Sequence, residues 1–169
     1  HLTGRSLAGT TGGVWVAASS HLNSYSLWQQ QQLCTFRKAT RQWSSHIVRA
    51  GCSNIFVISV YLEPGAEAGK DNLDTLADIA DVVRSVKYSY IIAGDWNKTP
   101  SELATSGWPH FIGGSIVTAG DGHTCKSGSM RQIDYMVVSA PLVREVTAEL
   151  DNDSPWSPHI GMRIDIRTE

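Results

Sequence analysis

The chain has 169 residues, a net charge of −2 and a pI of about 6.3, with 41% hydrophobic and 18% charged residues. These values are typical of one globular domain, residues 1–169, with a substantial buried core. The near-neutral net charge gives no electrostatic indication of strong nucleic-acid binding. The longest apolar run, Ile55–Leu62, is too short for a transmembrane helix.

The start of the chain and its cysteines assign neither a compartment nor a cross-linked framework. The first residue is His1 and no secretory signal is visible, so we expect a removed leader or a chain that begins inside a longer protein. The cysteines are odd in number and widely spaced, which favours neither a disulfide framework nor a zinc site. They are Cys34, Cys52 and Cys125.

The first predicted elements are β-strands. A β-like run at 14–17 is followed by a more polar candidate strand within 25–36. Two further strands are predicted at 43–48 and 54–61, joined by a turn at 50–53. The second of these is a dense β-branched run, which is typical of a strand buried on both faces.

The clearest helix is predicted at residues 71–87, where Asp71 or Asn72 is a suitable N-cap. Its apolar stripe recurs at helical spacing and is expected to face the core. This stripe consists of Leu73, Leu76, Ala80 and Val83. Because the helix lies between the buried strand and another apolar strand at 90–93, the three elements predict a βαβ unit with parallel strands.

The second half of the chain is predicted to be mainly β. Pro100 begins a short helical turn at 101–105, and an irregular, glycine-rich region follows it. Four strands are then predicted, at 115–118, 132–139, 145–150 and 162–166. Many strands with one or two helices indicate an α+β or layered α/β domain.

Polar side chains lie at the ends of several predicted strands. Asp95 and Asn97 follow strand 90–93 and, being two residues apart, point to the same side. They are also ordinary turn formers, so a simple turn is the alternative explanation. Asp134 interrupts an apolar strand, where an unpaired acid is costly. His159 precedes the last strand and is a suitable partner for that acid.

The order of these motifs resembles the endonuclease/exonuclease/phosphatase superfamily, which includes apurinic endonucleases, DNase I, inositol phosphatases and retroelement endonucleases. The resemblance extends from about residue 12 to the C-terminus. Its motifs are Tyr61–Pro64, Gly94–Pro100, Thr124 with Arg131–Ser139, and Ser157–His159. The resemblance implies an α/β (α+β) fold, a four-layer sandwich of two packed mixed β-sheets flanked by helices.

The resemblance also implies a role for each matched side chain in phosphodiester hydrolysis by in-line attack. Tyr61 would contact the scissile phosphate, and Asp95 would position or deprotonate the attacking water. Asn97 would orient that water or the phosphate. His159 would stabilise charge on the phosphoryl oxygens, and Asp134 would hold His159 through a hydrogen bond.

The magnesium site that the resemblance implies is incomplete in this sequence. The superfamily's early Asn or Asp and the Glu of its next strand would precede this region, so we expect an N-terminally incomplete domain that lacks the first strands. Pro158 occupies the place of an acid before the histidine, and Glu63 and Glu67 lie in a loop. Mg²⁺ requires oxygen ligands, and Asp95 is the one matched carboxylate ligand.

These departures leave three interpretations. The first is a degenerate or truncated domain of a magnesium-dependent endonuclease that acts on nucleic acid or another phosphodiester. The second is a non-catalytic structural or binding subunit that keeps the fold and contacts protein partners in a larger assembly. The third is an unrelated α+β domain with coincidental motifs. We expect little or no nuclease activity from the isolated chain.

The six tryptophans are many for this length. Trp15 and Trp43 are interpreted as core residues. Trp96 and Trp156 flank the expected site in sequence, so they are candidates to line a substrate groove or to anchor a partner protein.

Overall fold

The computed structural model describes residues 14, 16–19, 22–25, 42–65, 69–155 and 157–167. The strands are β1 (Ser24–Tyr25), β2 (Trp43–Ala50), β3 (Ser53–Tyr61), β4 (Ser89–Asp95), β5 (Gly114–Val117), β6 (Asp134–Ser139), β7 (Val146–Asp151) and β8 (Gly161–Ile166). The helices are α1 (Gly69–Val86), α2 (Pro100–Thr105) and α3 (Trp108–Phe111). None of the helices in this part of the chain combines the length and hydropathy that a membrane crossing requires.

The strands form a large mixed sheet and a small antiparallel one. The large sheet has the order β1-β2-β3-β4-β6-β5, and β7 pairs with β8 in the small sheet. Within the large sheet β3 and β4 are parallel, because α1 carries the chain back to the starting edge between them. The predicted βαβ unit is therefore confirmed. Strands β2 and β6 pair antiparallel with β3 and β4 respectively.

The two faces of the large sheet contribute to two separate cores. Helices α1, α2 and α3 cover one face, where the large side chains of Phe56, Ile58, Ile79 and Ile92 are fully buried. The small sheet covers the other face, with Ile91, Met136 and Val146 at the centre of the contact. Helices, large sheet and small sheet are thus three layers of the expected sandwich, all within the described part of the chain.

Helix α1 differs from the prediction at its start. It begins at Gly69, so neither proposed cap lies at its N-terminus. Asn72 is instead buried in the first turn, where its side chain accepts the Glu63 backbone N–H and donates to the Glu63 carbonyl, both at 2.9 Å. Leu73 is 67% exposed, so its predicted core position is wrong. The buried face follows Asn72, and the next residue is rotated away from it by about 100°.

Other local predictions fail where the pattern was weak. The described residues within the run 14–17 form no strand, although Val14 is buried. The region after α2 contains a second short helix, α3, which was not predicted. Of the candidate strand within 25–36, Tyr25 ends β1 and the rest lies outside the described residues. Weakly periodic segments were therefore the least predictable part of the fold.

Candidate active site

Adjacent strand ends place three predicted site residues side by side. In the parallel pair β3–β4, Tyr61 lies opposite Asp95. In the antiparallel pair β4–β6, Asp95 lies opposite Asp134. The three residues come from distant parts of the sequence, yet they occupy neighbouring positions across one edge of the large sheet. Strand pairing thus brings three separate strand ends together at this edge.

Strands β3 and β4 approach closely at Gly94, the residue before Asp95. A Cβ atom at Gly94 would lie 1.9 Å from the Val60 carbonyl oxygen, a contact with backbone that no side-chain motion can relieve. Glycine at this position is therefore required to bring Asp95 beside Tyr61.

We expect Gly94→Ala to lower the free energy of unfolding by about 1–3 kcal/mol, because the strands must separate to admit the methyl group. Urea unfolding followed by circular dichroism measures the loss. Gly69→Ala is the matched control, because a Cβ at Gly69 meets no atom within 4 Å. Equal stability of the two variants would contradict the close approach at Gly94.

Asp95 is a partly buried carboxylate in a mixed electrostatic environment. Burial is the main cause that raises the pKa of Asp95, and the nearby Asp134 carboxylate raises it further. The Asn97 backbone N–H donates to Asp95 Oδ1 at 2.9 Å, and this bond and His159 act in the opposite direction. The net effect is a carboxylate that holds a proton more tightly than an ordinary aspartate, and so is a stronger base.

Asn97 helps to shape the turn after β4. Its backbone is left-handed, with φ of 47°, a conformation that asparagine tolerates better than most residues. Its side-chain nitrogen donates to the Leu62 carbonyl at 2.6 Å, which connects the ends of β3 and β4. The side-chain nitrogen is therefore engaged with backbone, and the turn-forming explanation accounts for at least part of the role of Asn97.

Asp134 and His159 form the predicted hydrogen bond. His159 Nδ1 lies 2.9 Å from Asp134 Oδ2 and 3.2 Å from Asp134 Oδ1. An ionised carboxylate can only accept a hydrogen bond, so His159 Nδ1 carries the proton and donates this hydrogen bond to Asp134. On its other side, His159 Nε2 lies 3.8 Å from Asp95 Oδ2. The imidazole thus stands between two carboxylates, hydrogen-bonded to one and in electrostatic contact with the other.

Tyr61 completes the edge of the site. Its pKa is raised, first by burial and then by the carboxylates of Asp95 and Glu63. The phenol is therefore protonated at neutral pH and can donate a hydrogen bond to an anionic oxygen.

Asp95, Asp134 and His159 are also close enough together to be tested as a possible metal site. One ligand atom from each residue lies within 4.8 Å of the others. For Mg²⁺ this set fits poorly. Both Asp134 oxygens contact His159 Nδ1, and Asp95 Oδ1 accepts the Asn97 N–H. Within the described residues, Asp95 Oδ2 is the one carboxylate oxygen of the cluster without a hydrogen bond, whereas Mg²⁺ requires several oxygen ligands in octahedral geometry.

Trp96 does not line a groove, and its predicted surface role is wrong. It is fully buried in the core beneath the helices. Its ring stacks on Tyr135 at 5.5 Å and contacts Trp108 at 5.8 Å, and its Nε1 donates to the Tyr135 carbonyl at 3.0 Å. Trp43 lies in the core as expected, and Trp15 and Trp156 lie outside the described residues.

The sequence did not reveal the role of Thr124. It belongs to a matching motif, but nothing local assigns it a contact. In the structure it is buried, and its hydroxyl accepts hydrogen bonds from the backbone at Ile133 and Asp134. The available signal was a small hydroxyl residue within a polar loop shortly before an acid in a strand, which is too common to be specific.

Neither a protein-family model nor a curated protein matches the sequence. Solved structures do match. The endonuclease domain of TRAS1, a telomere-specific non-LTR retrotransposon, superposes with a TM-score of 0.68 at 18% identity, over 89% of this chain and 71% of that one. The AP endonuclease LMAP from Leishmania major superposes with a TM-score of 0.60 at 12% identity, over 76% of this chain and 55% of that one.

A third similar structure is the 3′ phosphatase NExo from Neisseria, bound to a product DNA hairpin, with a TM-score of 0.57 at 13% identity. The match covers 88% of this chain and 71% of NExo. The chain therefore spans between 55% and 71% of the three structures. At these low identities the similarity concerns the fold, and it agrees with the mixed sheet, the small sheet and the flanking helices described above. The chain has the DNase I-like fold.

Proposed function

We propose that this chain is a phosphodiester hydrolase domain of the endonuclease type, with nucleic acid as its substrate. The observation that carries the proposal is the arrangement of His159 between Asp134 and Asp95, at 2.9 Å and 3.8 Å. The imidazole is oriented by one carboxylate and faces a second one, so the site combines a charge-stabilising group with a proton acceptor. That pair of functions is what in-line attack of water on a phosphodiester needs.

In this mechanism the attacking water forms a new P–O bond and gives a proton to Asp95. The P–O bond to the leaving alcohol breaks on the opposite side of the phosphorus, and the leaving oxygen takes up a proton from solvent. The raised pKa of Asp95 makes it a stronger base than an ordinary aspartate, and its Oδ2 is free of hydrogen bonds within the described residues. His159 donates from Nε2 to a phosphoryl oxygen as negative charge develops there, while the hydrogen bond to Asp134 fixes the orientation of the ring. Tyr61 donates a hydrogen bond to the same phosphate, and Asn97 holds the turn that presents Asp95.

We further propose that hydrolysis requires Mg²⁺, bound with oxygen ligands additional to the three clustered residues. The cluster offers one free carboxylate oxygen, which is too few for this ion. A divalent cation would supply neutralisation of phosphoryl charge.

The proposed substrate class rests on the similar structures. Two are named as endonucleases, and the third is a 3′ phosphatase bound to a DNA hairpin. The net charge of −2 provides little long-range attraction to a polyanion. Binding of nucleic acid would therefore depend on local contacts at the sheet edge.

A non-catalytic binding or structural subunit is the second candidate function. The hydrogen bonds that occupy both Asp134 oxygens and one Asp95 oxygen favour it, because they leave a poor cation site. A subunit of this kind would keep the same hydrogen-bonded cluster as a structural element of the fold.

Plasmid nicking by the 169-residue chain with Mg²⁺, Mn²⁺ or EDTA distinguishes the two. For a hydrolase we expect slow nicking that EDTA abolishes and that His159→Ala lowers by about 10²- to 10³-fold, since the charge on the phosphoryl oxygens loses its donor. His110→Ala, at an exposed histidine on α3, is the matched control. Nicking that never exceeds the level of His159→Ala, in a folded chain, would reject the hydrolase and support the binding subunit.

A further inference from the structure

Thr124 lies beside the Asp134–His159 pair. Its side chain is buried, and the mechanism above gives it no role. It is 1% exposed. Its Oγ1 accepts the backbone N–H of Ile133 at 3.0 Å and that of Asp134 at 2.8 Å. One hydroxyl therefore fixes two consecutive peptide groups at the start of β6, whose first residue is Asp134.

The segment that contains Thr124 also holds the backbone around His159. The Thr124 carbonyl accepts the Ile160 N–H at 2.7 Å, and the Lys126 N–H donates to the Pro158 carbonyl at 2.9 Å. Between these bonds, Cys125 and His159 form an isolated antiparallel bridge. Residues 124–126 thus act as a short strand alongside residues 158–160, and His159 lies at the centre of that pairing.

The same short segment therefore contacts Asp134 through a side chain and His159 through the backbone. We propose that Thr124 is a positioning residue, whose hydroxyl sets the relative placement of Asp134 and His159. The inference rests on the proposed function, since the placement matters for catalysis only if the pair acts on a phosphodiester. Asp134 and His159 are 25 residues apart in sequence. Asp134 begins β6 of the large sheet, whereas His159 lies in the loop before β8, so a segment that contacts both is the simplest way to align them.

The chemistry of the site predicts a sharp difference between two substitutions. Thr124→Val keeps the shape of the side chain but leaves two buried N–H groups without an acceptor, so the backbone must move to find other partners. Thr124→Ser keeps the oxygen and removes one methyl group. A positioning role thus requires the oxygen, whereas a packing role would require the methyl group.

The first experiment measures nicking kinetics of the 169-residue chain. We expect Thr124→Val to lower kcat by about 10- to 100-fold with KM little changed, because a displaced catalytic group loses transition-state contacts rather than substrate affinity. Thr124→Ser should restore most of kcat, and Ser129→Ala, in the same loop and exposed, is the control. In an Asp134→Ala background, Thr124→Val should cost no further activity. Independent, additive losses would overturn the inference.

The second experiment needs no activity and separates failure of this inference from failure of the proposed function. In NMR spectra of the folded chain, the Asp134 hydrogen bond should give a slowly exchanging His159 Nδ1–H resonance. We expect Thr124→Val to abolish it and Thr124→Ser to keep it. A resonance that persists in folded Thr124→Val would overturn the positioning role, whether or not the chain cleaves DNA.

A measurement on the unsubstituted chain covers the case in which Thr124→Val does not fold. The Ile133 and Asp134 amides should be protected from hydrogen exchange, because both donate to a buried oxygen. Rapid exchange of both amides in the folded chain would also overturn the inference.

Discussion

Asp95→Asn is expected to lower the rate of nicking by up to about 10⁴-fold, without lowering the melting temperature of the chain at pH 7. The amide has nearly the same shape and can still accept the Asn97 N–H at the position of Oδ1. It cannot take a proton from water, so the proposed base is lost. The measurement pairs plasmid nicking with thermal unfolding of the same preparations.

The stability part of this prediction follows from the sign of the pKa shift. The pKa of Asp95 is raised in the folded chain, mainly by burial, so the folded state holds the proton more tightly than the unfolded state. Its contribution to stability is present below the pKa of the unfolded carboxyl and is lost as the pH rises through the folded pKa. At pH 7 the ionised group therefore opposes folding, and a neutral amide removes that opposition.

We therefore compare the two melting temperatures at each pH. The melting temperature of Asp95→Asn minus that of the unsubstituted chain should be larger at pH 7 than at a pH where aspartates are protonated. Asp165→Asn, at an exposed residue of β8, is the control for loss of one negative charge. Nicking by the unsubstituted chain should rise with pH through the raised pKa of Asp95, because only the carboxylate accepts a proton. An active Asp95→Asn variant, or one destabilised at pH 7, would contradict the role given to Asp95.

Trp96→Ala is expected to lower the free energy of unfolding by about 3–5 kcal/mol. The ring is fully buried, stacks on Tyr135 at an interplanar angle of 11° and contacts Trp108. Its removal opens a large cavity and also leaves the Tyr135 carbonyl without the Nε1 donor. Because Trp96 lies between Asp95 and Asn97, the turn of the site should loosen as well. Urea unfolding gives the change in free energy.

Leu73→Ala is the matched control for this prediction. Both residues are large and apolar, but Leu73 is 67% exposed, so its truncation should change stability by no more than about 0.5 kcal/mol. Trp96→Phe should lose less than Trp96→Ala, since it keeps an aromatic ring in the stack. A Trp96→Ala chain as stable as Leu73→Ala would show that the ring is not part of the core.

The order of elements around α1 was predictable because local patterns determine it. The β-branched run of β3, the helical spacing of α1 and the apolar run of β4 each depend on neighbours along the chain, and a strand–helix–strand order has one common arrangement. The same holds for α2, where Pro100 begins the helix and the Thr99 and Glu102 side chains form a capping box. The sandwich as a whole came from the resemblance rather than from these patterns.

The site was predictable in part. A polar residue in an apolar strand is costly unless it is paired, so Asp134 required a partner, and His159 is that partner at 2.9 Å. The sequence contained no comparable indication for the side-chain nitrogen of Asn97, whose donation to Leu62 depends on how β3 and β4 meet. Nor did it indicate the contacts of Thr124, whose partners lie on two other segments.

The sequence by itself determined which residues are strand formers, which turn residues end β4, and which acid needed a partner. Only the tertiary structure decided that Trp96 is core and Leu73 is surface. It also decided that Asp95 lies beside Asp134, and that Thr124 bonds to the backbone of both Asp134 and Ile160. The physical reason is the range of the interactions involved. Periodicity and turn preference depend on a few neighbouring residues, whereas burial and hydrogen-bond partners depend on strands and loops that meet only when the chain is folded.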